Sequence, residues 1–422
     1  MSAVLAGCGG DDDKPTPDTG ATTDAGSDTG VTTDAGSDAA DTFVSGPVDL
    51  QIDTYNVALA GAAVAFVAER RPLIVAELGK LAGDIACLQE VWQETDKVAI
   101  AGAMKANYPY SAWPKTDRST KVDATPAVPT TAPCAGLEKE IDAAVKCLTD
   151  KCSIEDRLTT TADARDKCLA DVAALLGPAD KSCYSCLVSN MVSEKLSTIP
   201  AVCKAPGLGL GFGGQASPLL LSKHTLTDVT QLVVPGCWQQ RSVVRATATL
   251  PNGAKVDVYC NHLSPVNDDE LLPNSCPWNG GETATKKRWE AEQKVQIDAI
   301  LAWAKASKNR VIFLGDLNAS PAIAVPPAEG APIQGYGAYV LDSLGKVYVE
   351  ALAAGYVPKC TFCKTTLLTG GVENTWLDHI YLGGVDKSRV KSTLRTFDTK
   401  LATPFEYLSD HFGLRAVVTF DP

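Results

Sequence analysis

The sequence predicts an α/β fold, a layered domain of mixed, largely antiparallel strands and helices interrupted by one cysteine-rich helical insertion. Three observations point there. Short apolar stretches of strand length recur along the chain, several in hairpin-like succession. Stretches with the 3.6-residue spacing of an amphipathic helix separate some of them. Between residues 114 and 206 both rhythms stop, and seven cysteines (134, 147, 152, 168, 183, 186 and 203) crowd together.

In chain order, residues 9–42 are mostly Asp, Thr, Gly, Ser and Ala, with the heptapeptide TTDAGSD at 22–28 repeated at 32–38. Such a segment buries too little apolar surface to offset its ordering entropy, so it reads as a disordered acidic tether. Ahead of it, Leu5-Ala6-Gly7-Cys8 resembles a bacterial lipobox, with residues 1–8 as the signal remnant and Cys8 as the lipidated residue. Only seven residues precede Cys8, without a basic start or a full apolar stretch, which departs from that pattern.

From Val48 to Asn56 apolar and polar residues alternate, as a half-buried strand requires. Residues 62–81 carry helical spacing, with Pro72 as a break or a second start. Asp84–Glu90 reads as a short buried strand ending in a carboxylate. Further strands are expected at 217–222, 241–249, 255–261, 311–316, 375–382 and 412–420, with a helix near 284–307. Within 114–206 the segments 137–149 and 162–176 look helical, and disulfides would staple them. An odd number of cysteines leaves at least one to pair outside or stay free. Cys183-x-x-Cys186 is read as part of a staple rather than a redox or metal motif. Cys237 with Cys276, and Cys360 with Cys363, are expected loop staples, whereas Cys87 and Cys260 in buried strands are expected unpaired.

Composition bounds function. The 422 residues are 45% hydrophobic and 21% charged, which suits a globular enzyme or binding protein. Net charge is −12; residues 1–42 hold nine Asp and one Lys, or −8, leaving −12 − (−8) = −4 for the rest. A mildly acidic body has no global field to gather nucleic acid, though a local basic groove is compatible with it. Fourteen cysteines without paired zinc spacing indicate an oxidising compartment and export. No run of 18 apolar residues predicts a spanning helix.

Polar residues cluster at the ends of otherwise apolar strands, where an unpaired carboxylate costs several kcal/mol, of order 3 or more, unless it is used. Glu90 ends one run. Asp316 and Asn318 end Val311–Asn318, where period-2 alternation sets them on one face. His262 follows Val256–Asn261, Asp378 lies in Trp376–Tyr381, and Asp410 and His411 precede the last strand. Oxygen donors at converging strand ends suit a hard divalent cation, and histidines beside carboxylates suit proton transfer. His379, next to Asp378, points to the opposite face, and His224 sits at a strand end; both are read as structural. The glycine-rich run 207–214 lacks the following Lys-Ser/Thr of a phosphate loop and is read as a flexible connector.

At these residues the sequence resembles the endonuclease/exonuclease/phosphatase superfamily. Six blocks occur in that family's order: Tyr55-Asn56, Leu88-Gln89-Glu90, Asn261-His262-Leu263, Gly315-Asp316-Leu317-Asn318, Leu377-Asp378-His379 and Ser409-Asp410-His411. Each block alone is short; their succession over residues 48–420 carries the resemblance, which skips the insertion and the tether. It implies a four-layer sandwich of two sheets flanked by helices, formed by residues 43–113 and 207–422, with 114–206 inserted. It implies Mg²⁺, with Mn²⁺ or Ca²⁺ as alternatives, held by Glu90 with Asn56 and Asp410. Asp316 would orient or deprotonate the attacking water and Asn318 would hold a phosphate oxygen. His411 would act on the phosphate or the proton with Asp378 fixing its tautomer, and His262 would bind phosphate or protonate the leaving group.

His262 fits the deoxyribonuclease-like and neutral sphingomyelinase-like branches better than the apurinic-site endonucleases. Glu90–Asp96, Tyr108-Pro109-Tyr110 and Leu219–His224 look like the sphingomyelinase branch. The expectation is an exported, monomeric, Mg²⁺-dependent phosphodiesterase in the bacterial cell envelope or outside the cell. It would be tethered to a membrane through Cys8 and prefer a phospholipid, with exposed Trp92, Trp113 and Trp278 as lipid contacts. The alternatives are a secreted endonuclease, using Lys286-Lys287-Arg288 and Arg70-Arg71 as a basic groove, and an inactive binding protein on the same fold.

Overall fold

The computed structural model describes residues 44–61, 64–81, 83–122, 125–152, 172–176, 181–191, 193–267, 272–324, 331–369 and 373–422. The acidic tether and the lipobox lie outside them, as does most of the expected helix at 162–176, of which 172–176 is helical.

Two six-stranded sheets form the centre. The first contains β1 (Val48–Asn56), β2 (Ile85–Gln89), β3 (Tyr110–Ala112), β4 (Leu219–Ser222), β11 (Val390–Thr396) and β12 (Gly413–Phe420), in the order β11-β12-β1-β2-β4-β3. The second contains β5 (Leu226–Val234), β6 (Arg241–Thr249), β7 (Lys255–His262), β8 (Arg310–Asp316), β9 (Val349–Glu350) and β10 (Asp378–Gly383), in the order β5-β6-β7-β8-β10-β9. Each sheet has one parallel pair at its middle, β1 with β2 and β7 with β8, and is otherwise antiparallel. A helix crosses over between the members of each pair, α1 (Val67–Leu78) in the first and α6 (Thr285–Ala304) in the second.

The alternation of each strand explains the layers. Inward residues such as Leu50, Ile52 and Ile85 of one sheet meet Val256, Val258 and Ile312 of the other in one core. Outward residues of the first sheet, among them Tyr55, Leu88 and Leu219, bury against α1 and α2 (Glu94–Met104). Those of the second, Tyr259 and Phe313, bury against α6 and α7 (Ala338–Gly345). The architecture is the expected sandwich of two mixed sheets between helices.

Pro72 does not break α1, which runs through it. The ring removes one helical hydrogen bond, and buried Val67, Arg70, Ile74 and Leu78 hold the helix against the sheet. Within the cysteine-rich segment, α3 (Glu138–Cys152), α4 (Lys181–Met191) and α5 (Ile199–Lys204) pack around Ile141, Leu148, Leu187 and Ile199. Cys134–Cys183 and Cys186–Cys203 staple them, so the Cys183-x-x-Cys186 pair serves two separate bridges. Cys147 is also disulfide-bonded, and the side chains of Cys152 and Cys168 lie outside the described ones. The glycine-rich run is a packed connector rather than a loose one, with Leu208, Leu210 and Phe212 buried. Among the described residues no helix is long and apolar enough to cross a membrane.

Cys237–Cys276 and Cys360–Cys363 are bonded as expected. Cys87 and Cys260 are not unpaired: they form a disulfide from β2 to β7 across the sheet interface. Alternation shows that both face inward, but only the seating of one sheet on the other shows that they meet. Replacing both with Ser should cost about 2–5 kcal/mol, read as a lower urea midpoint than wild type under non-reducing conditions.

Candidate active site

The parallel pairs set their C-terminal ends at the same rim of the sandwich, and β10 and β12, running antiparallel, begin there. Asn56 ends β1, Glu90 follows β2, His262 ends β7, Asp316 ends β8, Asp378 opens β10, and Asp410 and His411 precede β12. Register places His262 directly beside Asp316 and Asp316 beside Asp378. Gly315 makes the first of these neighbours possible: its φ is 148°, and a Cβ there would lie 2.1 Å from Asn261 O.

Asp316 is the hub. Its Oδ2 accepts a 2.9 Å hydrogen bond from Asn56 Nδ2, and its Oδ1 accepts one of 2.8 Å from the Asn318 amide. The same Oδ2 faces two imidazoles, His262 Nε2 at 3.6 Å and His411 Nε2 at 3.7 Å. His411 Nδ1 is 2.9 Å from Asp378 Oδ2 and donates to it, which fixes the ring. His262 Nδ1 lies 2.7 Å from Ser217 Oγ. With the hydroxyl donating there, Nε2 keeps its proton toward the Asp316 carboxylate. Asn318 Nδ2 donates to Leu263 O, tying the turn after β8 to the turn after β7.

Burial and charge separate the titrations. Burial raises the Glu90 carboxyl to about 7, and repulsion from Asp410 adds to it. Burial raises Asp316 to about 6. Burial alone would lower His411, but the Asp378 and Asp316 carboxylates reverse this and hold it near 10. His262, buried and next to the Arg241 charge, falls well below its ordinary value. At neutral pH the rim thus holds one imidazolium and one neutral imidazole.

Glu90 and Asn318 both occupy the left-handed region, with φ of 58° and 47°. Asn tolerates it, whereas at Glu90 it costs about 1–3 kcal/mol and turns the carboxylate into the rim. Glu90 Oε2 is buried without a hydrogen-bond partner. A raised pKa, an orphaned oxygen and a neighbouring Asp410 carboxylate fit a divalent cation, which Glu90, Asn56 and Asp410 would hold with oxygen ligands. Ligand atoms of Asp316, Asp378 and His411 also lie within 4.8 Å of one another, but His411 and Asp378 are committed to each other.

The structure therefore brings all eight sequence-derived residues to one rim. His379 is structural as read, held by Glu350 Oε1 at 2.7 Å and by the Ala319 and Trp376 carbonyls. His224 lies in a half-buried turn 3.6 Å from Asp84.

Two residues escaped the sequence reading, and two others serve differently from what it expected. Arg241, at the start of β6, is buried with Nε and Nη1 unpartnered and its guanidinium 5.4 Å from the Trp92 ring. It is also a polar residue at the end of an apolar strand, the signal that found the others. Ser217 orients His262 and carries no comparable signal. Arg70 does not line the basic groove of the nuclease alternative: it is fully buried, and its guanidinium donates to the carbonyls of Val57, Ala58, Ala65 and Leu408. It thereby clamps the turn after Asn56 to the segment before Asp410. Arg288 is likewise buried, donating to Leu272 and Pro273 carbonyls. The expected lipid-facing tryptophans are covered: Trp92 stacks on Phe212 at 4.4 Å, Trp278 is buried, and half-buried Trp113 donates to Glu94.

A carboxylate hub flanked by two imidazoles, with further carboxylates beside it at one rim of an α/β sandwich, is the setting of a metal-dependent phosphoric ester hydrolase. The chain belongs to the Endonuclease/Exonuclease/phosphatase family, whose family model matches residues 54–411. No match was found among curated proteins. Among solved structures, the chain is similar to the sphingomyelinase C of Streptomyces griseocarneus, with 15% identity, TM-score 0.46, and 88% of this chain and 99% of that one covered. It is similar to a variant of the Staphylococcus aureus beta toxin with bound magnesium ions, at 14% identity and TM-score 0.47, covering 88% and 100%. Truncated Caenorhabditis elegans TDP2 follows at 14% and 0.43, covering 88% and 97%.

Two predictions arise. A carboxyl whose pKa rises on folding holds its proton more tightly in the folded state, so it stabilises the fold below its ordinary value. For Glu90 that contribution is lost as pH climbs from 4.5 to about 7. In EDTA the melting temperature should therefore fall more across this window for wild type than for Glu90→Gln, and Mg²⁺ should reduce the difference. Arg70→Met, which leaves buried carbonyls unpaired, should cost about 3–5 kcal/mol in urea unfolding.

Proposed function

We propose that the protein is an exported, Mg²⁺-dependent phosphodiesterase with a preference for phospholipid diesters. The observation that carries the reaction is the Asp316 carboxylate set between the His262 and His411 Nε2 atoms at 3.6 and 3.7 Å. When bound, the cation polarises a phosphoryl oxygen and offsets the charge that develops on it. Asp316 accepts a proton from the attacking water as its oxygen bonds to phosphorus. The bond from phosphorus to the leaving oxygen breaks, and that oxygen takes a proton from the His411 imidazolium. Asp378 steadies the His411 ring during the transfer. His262, neutral, and Arg241, with its Nε and Nη1 unpartnered, donate hydrogen bonds to the phosphate oxygens. Asn318 completes that set.

The lipid preference is supported by the surroundings of this centre. The basic residues proposed for a nucleic-acid groove largely turn away from solvent: Arg70 and Arg288 are buried, and Arg71 pairs with Asp96 at 2.8 Å. Five disulfides among the described residues support export, and the lipobox-like Cys8 supports a membrane tether for a monomeric enzyme. A secreted nuclease is the second reading, because a groove needs only a few exposed cations and Lys287 is exposed.

Sphingomyelin, double-stranded DNA, RNA, phosphoinositides and bis-p-nitrophenyl phosphate should be assayed with Mg²⁺ and with EDTA. Hydrolysis of sphingomyelin and the nitrophenyl ester, abolished by EDTA and reduced about 10³-fold or more by His411→Ala, is expected. Turnover that survives EDTA overturns the metal requirement, and DNA cleavage without sphingomyelin cleavage overturns the lipid preference.

A further inference from the structure

The tetrapeptide Cys360-Thr361-Phe362-Cys363 is closed on itself by a disulfide and has no part in the chemistry above. It lies between two segments that the chemistry needs. Asp378 opens β10 in the second sheet, and His411 precedes β12 in the first, so the hydrogen bond joining them crosses between sheets. The short ring touches both.

Toward the Asp378 segment, the Thr361 and Phe362 amides donate to Thr375 O at 2.9 and 3.1 Å, and the Thr375 amide donates back to Phe362 O at 2.8 Å. Thr361 Oγ1 then accepts from two successive amides, Leu377 N at 2.9 Å and Asp378 N at 3.2 Å. Toward the His411 segment, the Phe412 amide donates to Thr361 O at 2.7 Å, and the Phe362 ring meets the His411 ring at 5.2 Å, inclined by 64°. Arg395 lies over the Phe412 ring and donates to Cys360 O, which seats the ring from behind. One residue, Thr361, thus contacts the backbone on both sides of the Asp378–His411 pair. A four-residue loop would lose these contacts readily if its ends were free, and the disulfide removes that freedom.

We propose that Thr361, held in the Cys360–Cys363 ring, is a positioning residue that fixes Asp378 and His411 relative to each other for phosphodiester hydrolysis. It does not touch the substrate. The proposal rests on the reading of His411 as a reacting group, so its test carries a readout independent of turnover.

Thr361→Val keeps the volume and removes the hydroxyl that receives the Leu377 and Asp378 amides. It should lower kcat on bis-p-nitrophenyl phosphate about 10- to 100-fold, as expected for a displacement near 1 Å, and change KM by about twofold or less. Thr361→Ser, which retains the acceptor, should restore kcat to within about threefold of wild type. Cys360→Ala/Cys363→Ala should fall between the two, and melting temperatures report whether each variant is folded. Independently, the hydrogen-bonded His411 Nδ1 proton should give a downfield resonance in wild type, assigned by its loss in His411→Asn. Only four histidines are present to assign. The resonance should shift upfield or broaden in Thr361→Val. The proposal is overturned if Thr361→Val keeps both kcat and the resonance. It is equally overturned if the Val and Ser variants lose kcat alike in step with melting temperature. Should wild type hydrolyse no phosphodiester, the functional reading fails while the resonance still decides the brace.

Discussion

Asn56 Nδ2 reaches from the end of β1 in one sheet to Asp316 Oδ2 at the end of β8 in the other. Most of the rim takes its arrangement from that contact. It fixes one oxygen of the central carboxylate and leaves it facing both imidazoles, while the Asn318 amide holds the other oxygen. Two sheets packed through apolar side chains alone have no directional preference at their edges. A short polar bond between strand ends supplies one, and it does so where the two imidazoles stand.

Charge around the hub is arranged in depth. Glu90, Asp316, Asp378 and Asp410 crowd the rim, and a cation bound there would relieve them from the solvent side. Arg70 and Arg241 act from beneath, one clamping backbone carbonyls and the other stacked near Trp92. Neither makes a salt bridge among the described residues, so their charge remains available to the carboxylate cluster as a whole. Such an arrangement weakens the fold locally and prepares the site, as the left-handed backbone at Glu90 also does.

Much of this was readable from the sequence. Buried central strands announce themselves by uninterrupted apolar alternation, and a carboxylate or imidazole at the end of one is conspicuous; Glu90, Asp316 and His411 were found that way. The edge strands were not. β5 and β11 are half exposed and rich in Thr, Gln, Ser and Lys, so burial imposes no pattern on them. β3 and β9 are too short to show a period. Pairings between distant segments were also hidden. Cys87 and Cys260 are 173 residues apart, and their meeting depends on how the sheets are seated. Arg70 and Arg71 look alike in the sequence, yet the turn of one helix buries the first and exposes the second to Asp96.

The two sheets repeat one plan: a central parallel pair, a helical crossover, and antiparallel neighbours on either side. The first contributes Asn56, Glu90 and Asp410, the oxygen donors proposed for a cation; the second contributes His262, Asp316 and Asn318. Cys87 and Cys260 join β2 of one unit to β7 of the other, three residues before Glu90 and two before His262. Mechanically, that bond is a pin against shear. Apolar burial has no direction of its own, and any slip of one sheet over the other would alter the gap between Glu90 on one side and His262 on the other. With the pin in place, covalent geometry joins packing in setting that gap.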